Sequence, residues 1–165
     1  MTKNDDRLKI SIRQTDEKDV PLILEFIRLI AEFEHLSDNV MASEDSIRVA
    51  FFGPRPYAEA AVAEAGDKPA GFVTFFHNFS SFMGKPSLYV EDIYVHPEYR
   101  GMGVVKALMS YCARIAKERD CGRMDWSVLD WNPARKFYES LGAKADGKWI
   151  TYRLGKKGIF ELAGD

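Results

Sequence analysis

The stretch Tyr99-Arg100-Gly101-Met102-Gly103-Val104-Val105-Lys106 joins an apolar strand pattern to an amphipathic helix pattern. Two glycines at such a junction let the backbone turn tightly and leave amide N–H groups uncovered. The first turn of the following helix adds N–H groups without intrahelical acceptors, at the positive end of the helix dipole. Together these donors suit a phosphate. A plain strand-to-helix turn is the alternative while the glycines stand alone. Just upstream, Glu91 and Asp92 interrupt the nearly continuous apolar run from Leu88 to Val95, which otherwise reads as a strand buried on both faces. Neighbouring residues on a regular strand point to opposite faces, so only one of these acids faces a given site unless a bulge intervenes. One apparent nucleotide motif is discounted. Gly142, Gly147 and Lys148 have the G-x-x-x-x-G-K spacing, but Trp149 follows where Ser or Thr is required, with a helix before and a strand after. Gly101-x-Gly103 also lacks the third glycine of a dinucleotide fingerprint. His35, His77 and His96 have no metal-ligand spacing, and no metal is expected.

Positioning these residues takes a mixed set of elements. Met1 to Asp6 are polar and expected to fray. Leu8, Ile10 and Ile12 alternate with polar residues and predict a strand. Val20, Ile23, Ile27 and Ile30 follow helical spacing, with Leu24, Phe26 and Phe33 widening the stripe, so a helix runs to about His35. A short helix covers Glu44 to Phe51, stopped by Gly53-Pro54-Arg55-Pro56. Tyr57 to Glu64 and Gly71 to His77 predict a hairpin turning through Gly66-Asp67 and Lys68-Pro69, and Asn78 to Lys85 a loop. After the glycines, Val104, Val105, Leu108, Met109, Cys112, Ile115 and Ala116 form one apolar helix face. Arg123 to Val128 is a further strand. Asn132 caps a helix opened by Pro133 and closed at Leu141-Gly142. Trp149 to Arg153 reads as a last strand, and Lys156 to Ala163 is ambiguous. Strands and helices mixed in this way imply α/β layering, with helices on both faces of a sheet.

With 165 residues and no internal repeat, low-complexity tract or linker, one domain spanning 1–165 is expected. A formal charge of −2 gives no case for nucleic-acid binding. No apolar run is long enough to span a bilayer, and the charged start has no signal-peptide pattern, so neither a membrane nor export is expected. Two cysteines do not make a disulfide scaffold; Cys112 falls on an apolar helix face, as a buried thiol does. A reducing cytoplasm fits these features.

Arg100-Gly101-Met102-Gly103 matches the Arg-x-x-Gly core of the acetyl-CoA-binding loop of the GNAT family of N-acetyltransferases. Asn132-Pro133-Ala134-Arg135-Lys136-Phe137-Tyr138-Glu139-Ser140-Leu141-Gly142-Ala143 is similar to that family's second signature. The two lie in the family's order with a strand between them, and the resemblance runs from Ile10 to the C-terminus. Within the family the chain most resembles the diamine (spermidine/spermine) acetyltransferase branch. The similar segments are Ala31-Glu32-Phe33-Glu34-His35, Ala61-Val62-Ala63-Glu64 and Tyr89-Val90-Glu91-Asp92-Ile93-Tyr94-Val95. Two departures stand out. Val105 occupies a position where the family loop usually ends in Gly or Ala. In Ser80-Ser81-Phe82-Met83-Gly84-Lys85, serines stand where the diamine branch has an acid, and Phe82 where it has Trp.

The resemblance implies a single-domain, mostly antiparallel central sheet flanked by helices on both faces. It also implies acetyl transfer from acetyl-CoA, without a covalent enzyme intermediate, to a primary amine of a small molecule, either a polyamine or a lysine-like amine. Carried over residue by residue, Ile93, Tyr94, Val95, Arg100, Gly101, Met102, Gly103, Val104, Val105, Lys106, Asn132 and Tyr138 would contact acetyl-CoA. Glu34, Glu91, Asp92 and Trp149 would contact the amine. A lysine-like amine has a pKa near 10.4, so making it neutral at pH 7 costs roughly 4–5 kcal/mol. Glu91 matches the family's acid for accepting that proton. Tyr138 matches the tyrosine that protonates the departing thiolate, and main-chain N–H groups near Ile93 to Val95 would stabilise the oxyanion. Family members commonly pair as homodimers, which is expected here. The alternatives are acetylation of a peptide or protein lysine, and a non-catalytic acyl-CoA-binding module.

Overall fold

The structure is a computed structural model that describes residues 9–164; the start of the chain, including Leu8 and the segment expected to fray, lies outside them. The chain forms two compact units, one ending at Ser127 and one beginning at Val128.

The first unit is a five-stranded sheet in the order β1 (Ile10–Gln14), β2 (Glu59–Ala65), β3 (Lys68–Ser80), β4 (Lys85–Val95) and β5 (Met124–Trp126). The first three pairings are antiparallel. Only β4 and β5 run parallel, as their connection through α3 (Val104–Glu118) requires. The loop expected over Asn78 to Lys85 is shorter than the polar composition suggests: β3 and β4 extend through it and turn at Ser81–Gly84, where Gly84 has φ +63°.

Helix α1 (Val20–Phe33) accommodates Pro21 in its first turn, where no main-chain N–H is needed. Arg13 on β1 ties this start down by donating to both Asp19 oxygens at 2.7 and 2.8 Å and to Glu64 at 2.7 Å. The Arg13 hydrogen bonds hold the Asp19 carboxyl below the ordinary range. Val20, Ile23 and Leu24 pack with Ile47 of α2 (Glu44–Phe52) and Ala60 of β2. One turn further on, Phe26 stacks on Phe72 at 4.8 Å and 7°, with Val62 and Tyr94 completing the cluster. Truncating a ring so fully buried costs about 3–5 kcal/mol. The helix ends in a Schellman-type turn: Leu36 N–H donates to the Ala31 carbonyl at 2.8 Å, and His35 takes the left-handed φ of +60°.

The other face of the sheet carries α3, which buries Val104, Leu108, Met109, Cys112 and Ala116. Phe75 meets Tyr111 of this helix at 6.4 Å. Burial pushes the Cys112 thiol up to about 12, so it is a packing group and not a nucleophile. Helices therefore flank both faces, as expected.

The second unit contains α4 (Ala134–Ser140) and α5 (Lys156–Ala163), which settles the ambiguous segment as a helix. The strand expected over Trp149 to Arg153 is not formed. The alternating Trp, Ile, Thr and Tyr pattern satisfies strand propensity, but these residues join no ladder, and a strand is stable only when its main-chain groups are paired.

Candidate active site

A bulge in β4 sorts the two adjacent acids. Thr74 pairs with Asp92 and Phe75 with Val90, so Glu91 has no opposite residue in the ladder. Before the bulge, Val90 lies opposite Phe75 on the α3 face. After it, Asp92 and Tyr94 lie opposite Thr74 and Phe72 on the α1 face. Glu91 itself is exposed. The Thr74 hydroxyl donates to Asp92 Oδ2 at 3.0 Å and accepts from the Asp92 N–H at 3.1 Å. This bond favours the ionised carboxylate, but burial dominates and pushes Asp92 above the ordinary carboxylate range.

The same face carries the end of α1. Glu34, the residue that caps it, is also raised, first by burial and then by the negative charge of Asp92. Two acids from distant parts of the chain thus converge, and each is made reluctant to ionise. Such a pair is a ready partner for a cation.

Past Val90 the neighbour of β4 is lost. β5 ends at Trp126, paired with Val90, so beyond the bulge this side of β4 is a gap in the ladder. The His96 N–H donates to the Ala70 carbonyl on the β3 side at 3.0 Å. By strand alternation the main-chain groups of Tyr94 also face β3, whereas those of Ile93 and Val95 face the gap. Of Ile93, Tyr94 and Val95, the strand residues expected to contact a cofactor, two therefore present main-chain donors there, while the Tyr94 ring packs against Phe26 at 6.1 Å.

The glycine loop follows. Pro97–Tyr99 make a single 3-10 turn, and Met102 N–H donates back to the Tyr99 carbonyl at 3.4 Å. Gly101 and Gly103 have φ of +76° and +83°, conformations that other residues rarely adopt. Gly103 is the N-cap of α3 and has no side chain to cap it; the first helical bond runs from Ala107 to Gly103. The N–H groups of Val104, Val105 and Lys106 thus have no intrahelical acceptor. A Cβ placed on Gly101 or Gly103 would meet no atom within 4 Å, so the space over the turn is open. This cradle fits a phosphate ester. Val104 is buried under the sheet and Val105 is half-buried.

Arg100 behaves differently from its neighbours. Its Nε donates to the Val95 carbonyl at 3.1 Å, and its guanidinium lies 5.2 Å from the Phe33 ring centre and 5.9 Å from that of Tyr94. Phe33 and Thr74 had no signal in the sequence as site residues. Phe33 reads as one more apolar position on α1, and Thr74 meets Asp92 only through the bulged register.

In the second unit, α4 begins at Ala134, one residue after the Pro133 start expected, and Asn132 Oδ1 still satisfies its start by accepting from the Ala134 N–H at 2.9 Å. Gly142 has φ +92° and closes the helix. Tyr138 lies on this helix against Phe137, and burial raises its phenol above the ordinary value, so it holds its proton. Trp149 is 77% exposed. Among the described residues no group of three or more His, Cys, Asp or Glu is placed to hold a metal, and no helix is long and apolar enough to cross a membrane.

Comparison with known proteins agrees with this geometry. The chain is 36% identical to the thialysine N-epsilon-acetyltransferase of Bos taurus, over 94% of this chain and 98% of that protein. It is 29% identical to the L-ornithine N5-acetyltransferase of Arabidopsis thaliana, over 90% and 85%. An integron cassette protein from the mobile metagenome of V. cholerae superposes with a TM-score of 0.77 at 29% identity, over 94% of this chain and 98% of that one. Residues 25–143 match the Acetyltransferase (GNAT) family, which uses acetyl-CoA as co-substrate. With that match over most of its length and a relative 36% identical across 94% of it, the chain belongs to the GNAT family and is an N-acetyltransferase.

Proposed function

We propose that this enzyme transfers the acetyl group of acetyl-CoA to the side-chain amine of a small lysine-like amino acid. The observation that carries the choice is the Glu34–Asp92 pair, a single acidic focus suited to one ammonium group. A polyamine presents several cations along its length, and the β3–β4 turn has Ser80 and Ser81 where an additional acid would be needed. The relatives named for thialysine and ornithine, both amino acids with a terminal amine, support the same choice.

In this reading Glu34 and Asp92 hold the ammonium, and Glu91 at the exposed bulge accepts its proton. The neutral nitrogen then attacks the thioester carbonyl. The N–H groups of Ile93 and Val95 in the gap stabilise the negative charge that develops on the carbonyl oxygen. Tyr138 gives its proton to the departing sulfur and its phenolate takes up the second proton shed by the attacking nitrogen, so that a neutral amide and a thiol are the products. The amide donors of the glycine loop hold the pyrophosphate, and Asn132 both caps α4 and contacts the cofactor. A homodimer and a cytoplasmic location complete the proposal, supported by the family resemblance and by two unbridged cysteines.

The test is a panel of thialysine, lysine, ornithine and spermidine with acetyl-CoA, with products weighed by mass spectrometry. Side-chain acetylation of the amino acids at a kcat/KM at least about tenfold above that of spermidine is expected; tenfold corresponds to about 1.4 kcal/mol of discrimination. Preference for spermidine would overturn the assignment.

A further inference from the structure

Arg100 belongs by sequence to the cofactor loop, yet its side chain leaves that loop. It folds back to the end of β4, where Nε donates to the Val95 carbonyl at 3.1 Å. The planar head then lies between two aromatic faces, Phe33 at 5.2 Å and Tyr94 at 5.9 Å. Both are within the range in which a cation is attracted to a ring. Among the described residues no carboxylate forms an ion pair with it, so aromatic faces and a carbonyl hold it in place. Phe33 is the last residue of α1 and immediately precedes Glu34. Tyr94 lies two residues beyond Asp92 on the same face of β4.

We infer that Arg100 is a positioning residue for the amine pocket: stacked on Phe33 and fixed to Val95, it sets where the end of α1, and Glu34 with it, stands against Asp92. The inference rests on Glu34 and Asp92 forming the ammonium site. Its physical content is that one side chain joins the two halves of the reaction. The backbone around it forms the cofactor turn, and its head braces the acceptor pocket. Lysine is a poor substitute, because its compact ammonium has no plane to lie on a ring and no donor at the Nε position.

The experiment compares R100K and R100M with wild type. The KM for the amine is expected to rise about tenfold in both, while the KM for acetyl-CoA changes by less than about threefold, tenfold being the loss of one modest contact. F33L should reproduce the amine effect, and R100M/F33L should be no worse than the poorer single variant, as for residues acting through one contact. A second measurement needs no turnover. Hydrogen exchange of the Glu34 and Leu36 amides, which bond to Ile30 and Ala31 at 2.9 and 2.8 Å, should accelerate in both Arg100 variants. An acetyl-CoA KM raised as much as the amine KM, additive effects of Arg100 and Phe33, or unchanged exchange rates would each overturn the inference. If wild type acetylates no amine, the substrate reading falls, and the exchange rates still decide whether Arg100 fixes the end of α1. R100K also guards against a folding failure of R100M.

Discussion

Asp92→Asn separates what the acid pair does for function from what it costs the fold. Asparagine keeps the shape of the side chain and an oxygen to accept from the Thr74 hydroxyl, now 3.0 Å from Asp92. It removes the charge that helps raise Glu34, and replaces it with an N–H donor beside that carboxylate. A net gain of one hydrogen bond is worth about 0.5–1.5 kcal/mol. In a chain of this size each kcal/mol moves Tm by about 2–4 °C, so Tm should rise by a few degrees. Function should move the other way. A hydrogen bond to a charged group is worth about 1.5–3 kcal/mol, so losing it from the bound ammonium should raise KM roughly 10- to 150-fold. Release of the CoA thiol, followed with a chromogenic disulfide across a range of amine concentrations, separates KM from kcat. Thermal unfolding of the same samples gives Tm. An unchanged KM for the amine would refute the binding role. A fall in kcat with KM intact would make Asp92 the proton acceptor in place of Glu91.

Ser87 is fully buried, and among the described residues its hydroxyl has no hydrogen-bond partner. Ser87→Ala should therefore stabilise the protein by about 1 kcal/mol in urea unfolding; a loss of stability would point to a buried water on that oxygen. Gly103→Ala forces a Cβ onto a backbone at φ +83°, a strain of about 1–2 kcal/mol, and places that atom in the open space above the turn. Its expected signature is loss of the Tm increase produced by CoA in wild type, and a full increase would remove the glycine cradle from cofactor binding. Because Asp92 and Glu34 are both raised, the acid limb of kcat/KM for the amine should lie above pH about 4.3, the ordinary carboxylate value, and should move down in D92N. Stability follows the sign of each shift. The contributions of raised Asp92 and Glu34 are complete below their ordinary values and are lost as pH climbs through the raised ones. Asp19 and Glu59, lowered chiefly by hydrogen bonds from Arg13 and Arg119, contribute above their ordinary values and are lost on acidification. Tm of wild type against D92N between about pH 4 and pH 7 checks the first pair, since D92N should lose less stability as pH rises.

Much of this was legible from the residues. The glycine loop, the cap at Asn132 and the strand that carries the acids rest on local rules of turn chemistry and periodicity, and local rules survive folding. Strand alternation also showed that only one of Glu91 and Asp92 faces a given site unless a bulge intervenes, and the family resemblance supplied the bulge. Which of the two acids would meet Glu34 was not visible, since the answer depends on a one-residue shift against β3. Arg100 shows the same limit from the other side. Its place in a loop motif points to the cofactor, whereas the length and planarity of its side chain carry it to Phe33, far away in sequence. At Trp149 to Arg153 the pattern misled, because alternation reports a preference for strand geometry and says nothing about whether a partner edge is within reach.

The missing opposite residue at Glu91 has one more consequence. With Val90 opposite Phe75 and Asp92 opposite Thr74, the β3–β4 ladder would close in the same register if Glu91 were absent. Glu91 is thus supernumerary to the β3–β4 ladder. Deleting it would take away an acid and leave an unbroken two-residue alternation along β4, with every other side chain of the strand keeping its face.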